Sequence, residues 1–345
     1  MGRPGCDAGG RPASLAGGRD RSAIMKSKSV LLAASAALGG LAGAVIAGRV
    51  AQAYRRDQQV TLAQLMARSD VIDTARGPVE YAQAGSGPAV LVIHGGGGGY
   101  DQGLSVIEVL RDVKARFIAP SRFGYLRSPL PANATPEAQA DTFAALLDAL
   151  GVDRAAVLAL SAGGMTAVNF ALRHPDRCRG LILASAITRP HRYLQSLGAQ
   201  MAAETLLASD FAAWALAHWP EIGRQINGVR PEHLALIAGD ADARRGLDGL
   251  LTVPHASRRH AGLLNDWVQA EVLPEYPLNQ ITAPTLVIHG THDPLVPFHF
   301  GVRAAMTIPN ARLLILEDAG HLAWFTHAAQ VRPAVLSFLT TSLSP

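Results

Sequence analysis

The 345-residue sequence predicts an α/β fold built on a mainly parallel sheet. Two patterns carry that prediction. After Arg56, short fully apolar runs alternate with stretches of helical period, as expected of strands buried on both faces and joined by crossover helices. In addition, a serine, an acid and a histidine (Ser161, Asp293, His321) each follow an apolar run, where a parallel sheet delivers side chains to one edge. A hydrophobic content of 49% with 17% charged residues suffices for a sizeable core.

Taken in order, the elements begin with a segment outside the alternation. Residues 1–24 are Gly/Arg-rich without an apolar period, and are expected to be disordered or to precede the true start at Met25. Residues 25–56 predict a signal peptide or membrane anchor, and with it a cell-envelope location. Val30 to Gly48 is uncharged over 19 residues, with Lys26 and Lys28 before it and Arg49, Arg55 and Arg56 after it. Ala51-Gln52-Ala53 has the small-x-small form of a cleavage site. The alternative, an Ala-rich soluble helix, would need a polar face that residues 30–48 lack.

The core is expected over 57–187 and 281–345. Val79–Ala84 predicts an antiparallel strand, closed by the Gly85-Ser86-Gly87-Pro88 turn. Strands follow at Ala89–Ile93, Arg116–Ala119, Ala155–Leu160, Gly180–Ser185, Thr285–His289 and Arg312–Leu316. Helices are expected over Pro136–Leu150, Ala162–Arg173 and Ala328–Leu339. Residues 188–280 contain no convincing strand, are Ala/Leu-rich and hold three of the four tryptophans (Trp214, Trp219, Trp267). They predict a helical cap inserted between two core strands.

Charge excludes one class of partner. Residues 1–56 hold nine Lys/Arg and two Asp/Glu, so the remaining chain carries 22 basic and 25 acidic residues. The overall net charge of +4 therefore belongs to the leader, and the folded part offers no basic surface for nucleic acid. Two cysteines, Cys6 and Cys178, support neither a disulfide framework nor a Cys-based metal site. No H-E-x-x-H or phosphate-loop signature occurs, so neither a metal nor a cofactor is expected.

Ser161 lies in Ala159-Leu160-Ser161-Ala162-Gly163, at a strand-to-helix turn whose small neighbours let a serine project at the helix N-terminus. Taken alone, Ser161 reads equally as a helix N-cap. Asp293, in Gly290-Thr291-His292-Asp293-Pro294, can hold a histidine tautomer or close an Asx turn. His321 follows Gly320 after the last strand and is the candidate base. His289 and His292 stand too close to Asp293 in sequence to reach across to Ser161. The run His94 to Gly99 predicts an oxyanion hole, with Gly95 or Gly96 N–H joining that of Ala162. Arg122, Tyr125 and Arg127 follow the Arg116–Ala119 strand and read as loop residues with packing or solvent roles, with lining of the cleft as the alternative.

His94-Gly95-Gly96, the Ser161 turn, Asp293 in a G-x-x-D-x-x-x-P run and Gly320-His321 together resemble the α/β-hydrolase superfamily, nearest its single-cap esterases, C–C hydrolases and prolyl-iminopeptidase-like members. The resemblance covers about residues 70–342. It implies an eight-stranded, mostly parallel sheet flanked by helices with a variable cap, and a triad of Ser161, Asp293 and His321. Ala159 departs from the first glycine of G-x-S-x-G, and the glycine run is unusually long. The expected activity is hydrolysis of a small acyl substrate, a carboxylic ester first, through an acyl-enzyme on Ser161. C–C or aminopeptidase-type hydrolysis by the same triad is the alternative, and a non-catalytic binding protein the third reading. The sequence leaves the oligomeric state open.

Overall fold

The structure, a computed structural model, describes residues 21–192, 201, 204–205 and 207–343, with the backbone alone described for 21–42. It divides into two units, residues 1–56 and 57–345. A helix, α1 (Arg21–Ala67), starts in the first and ends in the second. The expectation of disorder over 1–24 falls mostly outside the described residues, although 21–24 belong to α1. Most of the apolar stretch 30–48 has its side chains outside them too. Among the described residues no helix is long and apolar enough to cross a membrane.

The second unit is built on an eight-stranded sheet in the order β1-β2-β4-β3-β5-β6-β7-β8. The strands are β1 (Asp70–Thr74), β2 (Gly77–Ala84), β3 (Ala89–Ile93), β4 (Arg116–Pro120), β5 (Ala155–Leu160), β6 (Cys178–Ala184), β7 (Thr285–Gly290) and β8 (Ala311–Leu316). β1 and β2 pair antiparallel with each other, and β2 with β4, while every other pairing is parallel. β3 and β5 are buried at every residue, which is why they read as unbroken apolar runs. Their pleat still sorts side chains by face. Leu91, Ile93, Val157 and Ala159 join one hydrophobic cluster, and Val90, Val92, Leu158 and Leu160 the other. Each large side chain so buried stabilises the fold by about 1.5–3 kcal/mol relative to exposure.

Helices α2 (Tyr100–Glu108), α3 (Pro136–Ala149) and α4 (Gly163–Arg173) fill the early crossovers. Thr135 caps α3 by accepting from Ala138 N–H, and Pro136 occupies its first turn. Between β6 and β7 the described residues contain no strand; the α-helices there include Asp210–Leu216, Pro220–Ile226, Pro231–Leu236, Ala241–Leu251 and His260–Glu271, with short 3-10 turns at Ala256–Arg258 and Leu278–Gln280. Helices His299–Thr307 and Ala328–Ser342 complete the layers around β7 and β8.

The last turns of α1 pack on this unit. Trp214 Nε1 donates to Asp57 Oδ2 at 3.1 Å, Thr61 Oγ1 meets His255 Nε2 at 3.0 Å, and Tyr100 O–H donates to the Leu65 carbonyl. Asp57, Thr61 and Leu65 are spaced by four, so they share one helix face.

Candidate active site

The site is built at the carboxyl edge of the sheet. Leu160 of β5 stands level with Ala184 of β6, and Ala184 with Ile288 of β7; Gly290 of β7 stands level with Leu316 of β8. The residues just beyond these ends, Ser161, Asp293 and His321, therefore leave the sheet on one edge.

Ser161 joins β5 to α4 in a conformation that side chains rarely adopt, with φ 53°. The turn is over-determined. Ser161 N–H donates to Ala184 O at 3.0 Å, and Ser161 O accepts from Gly164 N–H at 3.0 Å and Ile187 N–H at 2.9 Å. Gly163 is required here, because a Cβ would lie 2.6 Å from the Ile93 carbonyl oxygen at the end of β3. Ser161 thus stands just ahead of the N-terminus of a buried helix, next to its N-cap residue Ala162.

Asp293 and His321 are brought together directly. His321 Nδ1 lies 2.8 Å from Asp293 Oδ2 and 3.0 Å from Oδ1, and the Asp293 side chain is fully buried. Asp293 Oδ1 also accepts from Leu295 and Val296 N–H, at 2.9 Å each. The orienting carboxylate and the Asx turn are thus one and the same group. Burial is the largest single influence and opposes the charge, but the electrostatic pull of His321 together with hydrogen bonds from His289, His321 and the Val296 N–H outweighs it. The carboxyl is held well below its usual range. His289 Nε2 sits 2.9 Å from Val296 O and 3.4 Å from Asp293 Oδ2, so this fully buried histidine backs the carboxylate. With Nδ1 on Asp293, Nε2 is the His321 nitrogen left for proton transfer. Ser161 and His321 are both buried, and no hydrogen bond joins them here. Such contacts commonly tighten only when substrate binds.

The glycine run lies against Ser161, since a Cβ on Gly95 would stand 3.0 Å from Ser161 Cβ. Of the two glycines expected to donate to an oxyanion, Gly95 and Gly96, the first has its N–H occupied. Gly95 N–H is already committed to Gln102 Oε1 at 2.7 Å, whereas Gly96 and Ala162 N–H have no partner among the described residues. The Gly95 carbonyl accepts from His94 Nδ1–H at 2.7 Å and from Arg122 Nη2 at 3.1 Å. Burial, then the Arg122 charge, pushes the His94 imidazole well below its usual range, so it is neutral. Its Nε2 accepts from Arg122 N–H at 2.9 Å.

Arg122 and Tyr125, for which the sequence offers packing, solvent or cleft-lining roles, are both buried beside the glycine loop. Arg122 forks onto Asp266, with Nη1 2.6 Å from Oδ1 and Nη2 2.5 Å from Oδ2, and Tyr125 O–H donates to Asp266 Oδ2 at 2.6 Å. Asp266 comes from the inserted helix His260–Glu271. A second pair crosses the other way, as Arg259 of the insertion reaches Asp101 of α2 at 2.9 and 2.7 Å and the Gly98 carbonyl at 2.8 Å. Gly124 and Gly262 permit the approach: Gly262 N–H donates to Gly124 O at 3.0 Å, and a Cβ on Gly262 would strike the Tyr125 ring at 2.3 Å. Asp266, Arg259, Gln102 and His289 carry no local motif that would have singled them out.

Comparison with known proteins agrees with the fold. The family model described as "alpha/beta hydrolase fold" matches residues 88–328. The chain is 30% identical over 282 residues to 2-hydroxy-6-oxo-6-phenylhexa-2,4-dienoate hydrolase from Burkholderia cepacia, covering 76% of this chain and 91% of the relative. It is 26% identical over 260 residues to 2-hydroxymuconate semialdehyde hydrolase from Pseudomonas sp. (strain CF600), covering 74% and 88%. An alpha/beta hydrolase fold protein from Nakamurella multipartita superposes with a TM-score of 0.70 at 34% identity, covering 80% of this chain and 98% of that one. A thermophilic esterase from Thermogutta terrifontis superposes with a TM-score of 0.59 at 25% identity, covering 80% and 100%. With its sheet, its carboxyl-edge site and this match in hand, the chain belongs to the α/β-hydrolase fold family.

Proposed function

We propose that the protein is a serine hydrolase of small acyl substrates, a carboxylic ester first among them. The observation that carries the reading is Ser161 held at φ 53° on the same sheet edge as the hydrogen-bonded Asp293–His321 pair. In the proposed cycle Ser161 Oγ bonds to the acyl carbon while its proton passes to His321 Nε2. The leaving alcohol departs with that proton, and an acyl-enzyme remains. Water then attacks the acyl carbon, again losing a proton to His321, and the acid is released as Ser161 recovers its own. Gly96 and Ala162 N–H would receive the negative oxygen at each step.

The alternative is C–C bond hydrolysis by the same residues; the Burkholderia cepacia and Pseudomonas relatives are named as hydrolases of a dienoate and of a semialdehyde, and neither name carries an ester. One observation favours the ester reading. A dienoate substrate brings a carboxylate that needs a cation, and the two guanidiniums that reach the glycine loop, Arg122 and Arg259, are already paired to Asp266 and Asp101.

A fluorophosphonate probe should label wild-type protein and leave Ser161→Ala unlabelled. A folded wild-type protein that resists the probe would refute the reading. Turnover of p-nitrophenyl esters without cleavage of a vinylogous 1,5-diketone acid supports the ester substrate, and the reverse supports the alternative. For location, we propose that residues 25–56 export or tether the enzyme, on the strength of the uncharged stretch between basic flanks. Recovery of the full-length protein in the cytoplasmic fraction alone would refute this.

A further inference from the structure

We infer that Arg122, locked in place by Asp266 of the inserted helix, is a positioning residue for the oxyanion-binding N–H of Gly96. The inference rests on the serine-hydrolase reading above and adds to it a device by which the insertion completes the site.

The argument starts from the peptide bond. A trans peptide is planar, so the carbonyl of Gly95 and the N–H of Gly96 point in opposite directions along one plane. Whatever fixes the first therefore aims the second. Two donors grip the Gly95 carbonyl, His94 Nδ1–H and Arg122 Nη2, while Gln102 holds the Gly95 N–H at the other end of the residue. Glycine has no side chain to brake rotation about φ and ψ, so a run of five glycines gains its orientation from such external holds.

Arg122 in turn depends on the insertion. Its guanidinium is 5% exposed and its partner Asp266 4%, and the fork geometry fixes the plane of the guanidinium as well as its distance. Asp266 also accepts from Tyr125 O–H, and that hydroxyl accepts from Gly97 N–H at 3.2 Å. One carboxylate, 144 residues along the chain from Arg122, therefore sets the peptide on either side of Gly96. A Cβ on Gly96 would meet Leu263 Cδ1 at 3.4 Å, so the same inserted helix also covers the glycine itself.

The test compares wild type with Asp266→Asn, Arg122→Lys and Tyr125→Phe. It reads p-nitrophenyl acetate kinetics, inhibition by an alkyl trifluoromethyl ketone, fluorophosphonate labelling of Ser161 and thermal unfolding. The ketone adds to the serine as a hemiketal, so its affinity reports on the oxyanion hole and not on overall packing. In folded Asp266→Asn and Arg122→Lys, kcat should fall about 10- to 100-fold, and ketone affinity should weaken by a similar factor. KM should stay within about threefold, since substrate ground-state binding does not use the hole. Folded variants whose kcat and ketone affinity both remain within about twofold of wild type overturn the inference. If Asp266→Asn and Arg122→Lys fail to fold, Tyr125→Phe decides, because it removes a single hydroxyl: the same split in smaller measure upholds the inference, and unchanged kcat and ketone affinity overturn it. A wild-type protein that the fluorophosphonate does not label sinks the serine reading and the inference with it. Labelled wild type with unaffected variants sinks the inference alone.

Discussion

Replacing Asp293 by Asn keeps an oxygen for the Leu295 and Val296 N–H groups but takes away the charge that faces His321. The turn should survive while the imidazole loses its tautomer and its partner. We expect kcat to fall by about 10³- to 10⁴-fold with little change in KM or in far-ultraviolet circular dichroism. Retention of more than a tenth of the activity would show that the carboxylate is not the orienter. The same group links stability to acidity. Its folded-state value lies below the ordinary 3.8, so the unfolded chain binds the proton more readily. The stabilisation it contributes is complete above that ordinary value and is lost as pH falls toward the lower folded one. Urea midpoints measured between about pH 6 and pH 3 should therefore drop more steeply for wild type than for Asp293→Asn; parallel curves would contradict this.

The strands legible in the sequence are those whose burial is complete. Ala89–Ile93 and Ala155–Leu160 are found at the expected bounds because every position is apolar. β1 escaped the reading because it is a largely exposed edge with Asp at two of five positions. α2 escaped because it opens after Gly99 without a side-chain cap, so no start signal marks it. Ser161, Asp293 and His321 were legible because each follows a strand end. Asp266 and Arg259 were not, because their partners lie 144 and 158 residues away and nothing local distinguishes them from solvated helix charges. At this scale the close contact between elements is the feature most exposed to mutation. Gly262→Val would drive a branched side chain into the Tyr125 ring, and we expect it to destabilise the fold by about 1–3 kcal/mol. A wild-type unfolding midpoint in that variant would show that the helix shifts away at no cost.

Across the molecule, two ion pairs of opposite sense, one buried and one part-buried, join the insertion to the sheet body. Arg122 of the body meets Asp266 of the insertion, and Arg259 of the insertion meets Asp101 of the body. A crossed arrangement resists sliding in either direction, because any slip strips both cations of their partners. Asp101→Asn leaves Arg259 buried with half of its partner's charge-assisted bonds weakened, and should cost about 2 kcal/mol of stability. Limited proteolysis would be expected to cut the insertion first in that variant, and an unchanged digestion pattern would argue against the latch. The docked end of α1 bears on maturation. Asp57, Thr61 and Leu65 tie that stretch to Trp214, His255 and Tyr100, so it belongs energetically to the unit that carries the sheet. If residues 25–56 are the export segment proposed above, a cut near Ala53 would spare all three of these contacts, whereas a cut beyond Ala67 would remove Asp57, Thr61 and Leu65 together.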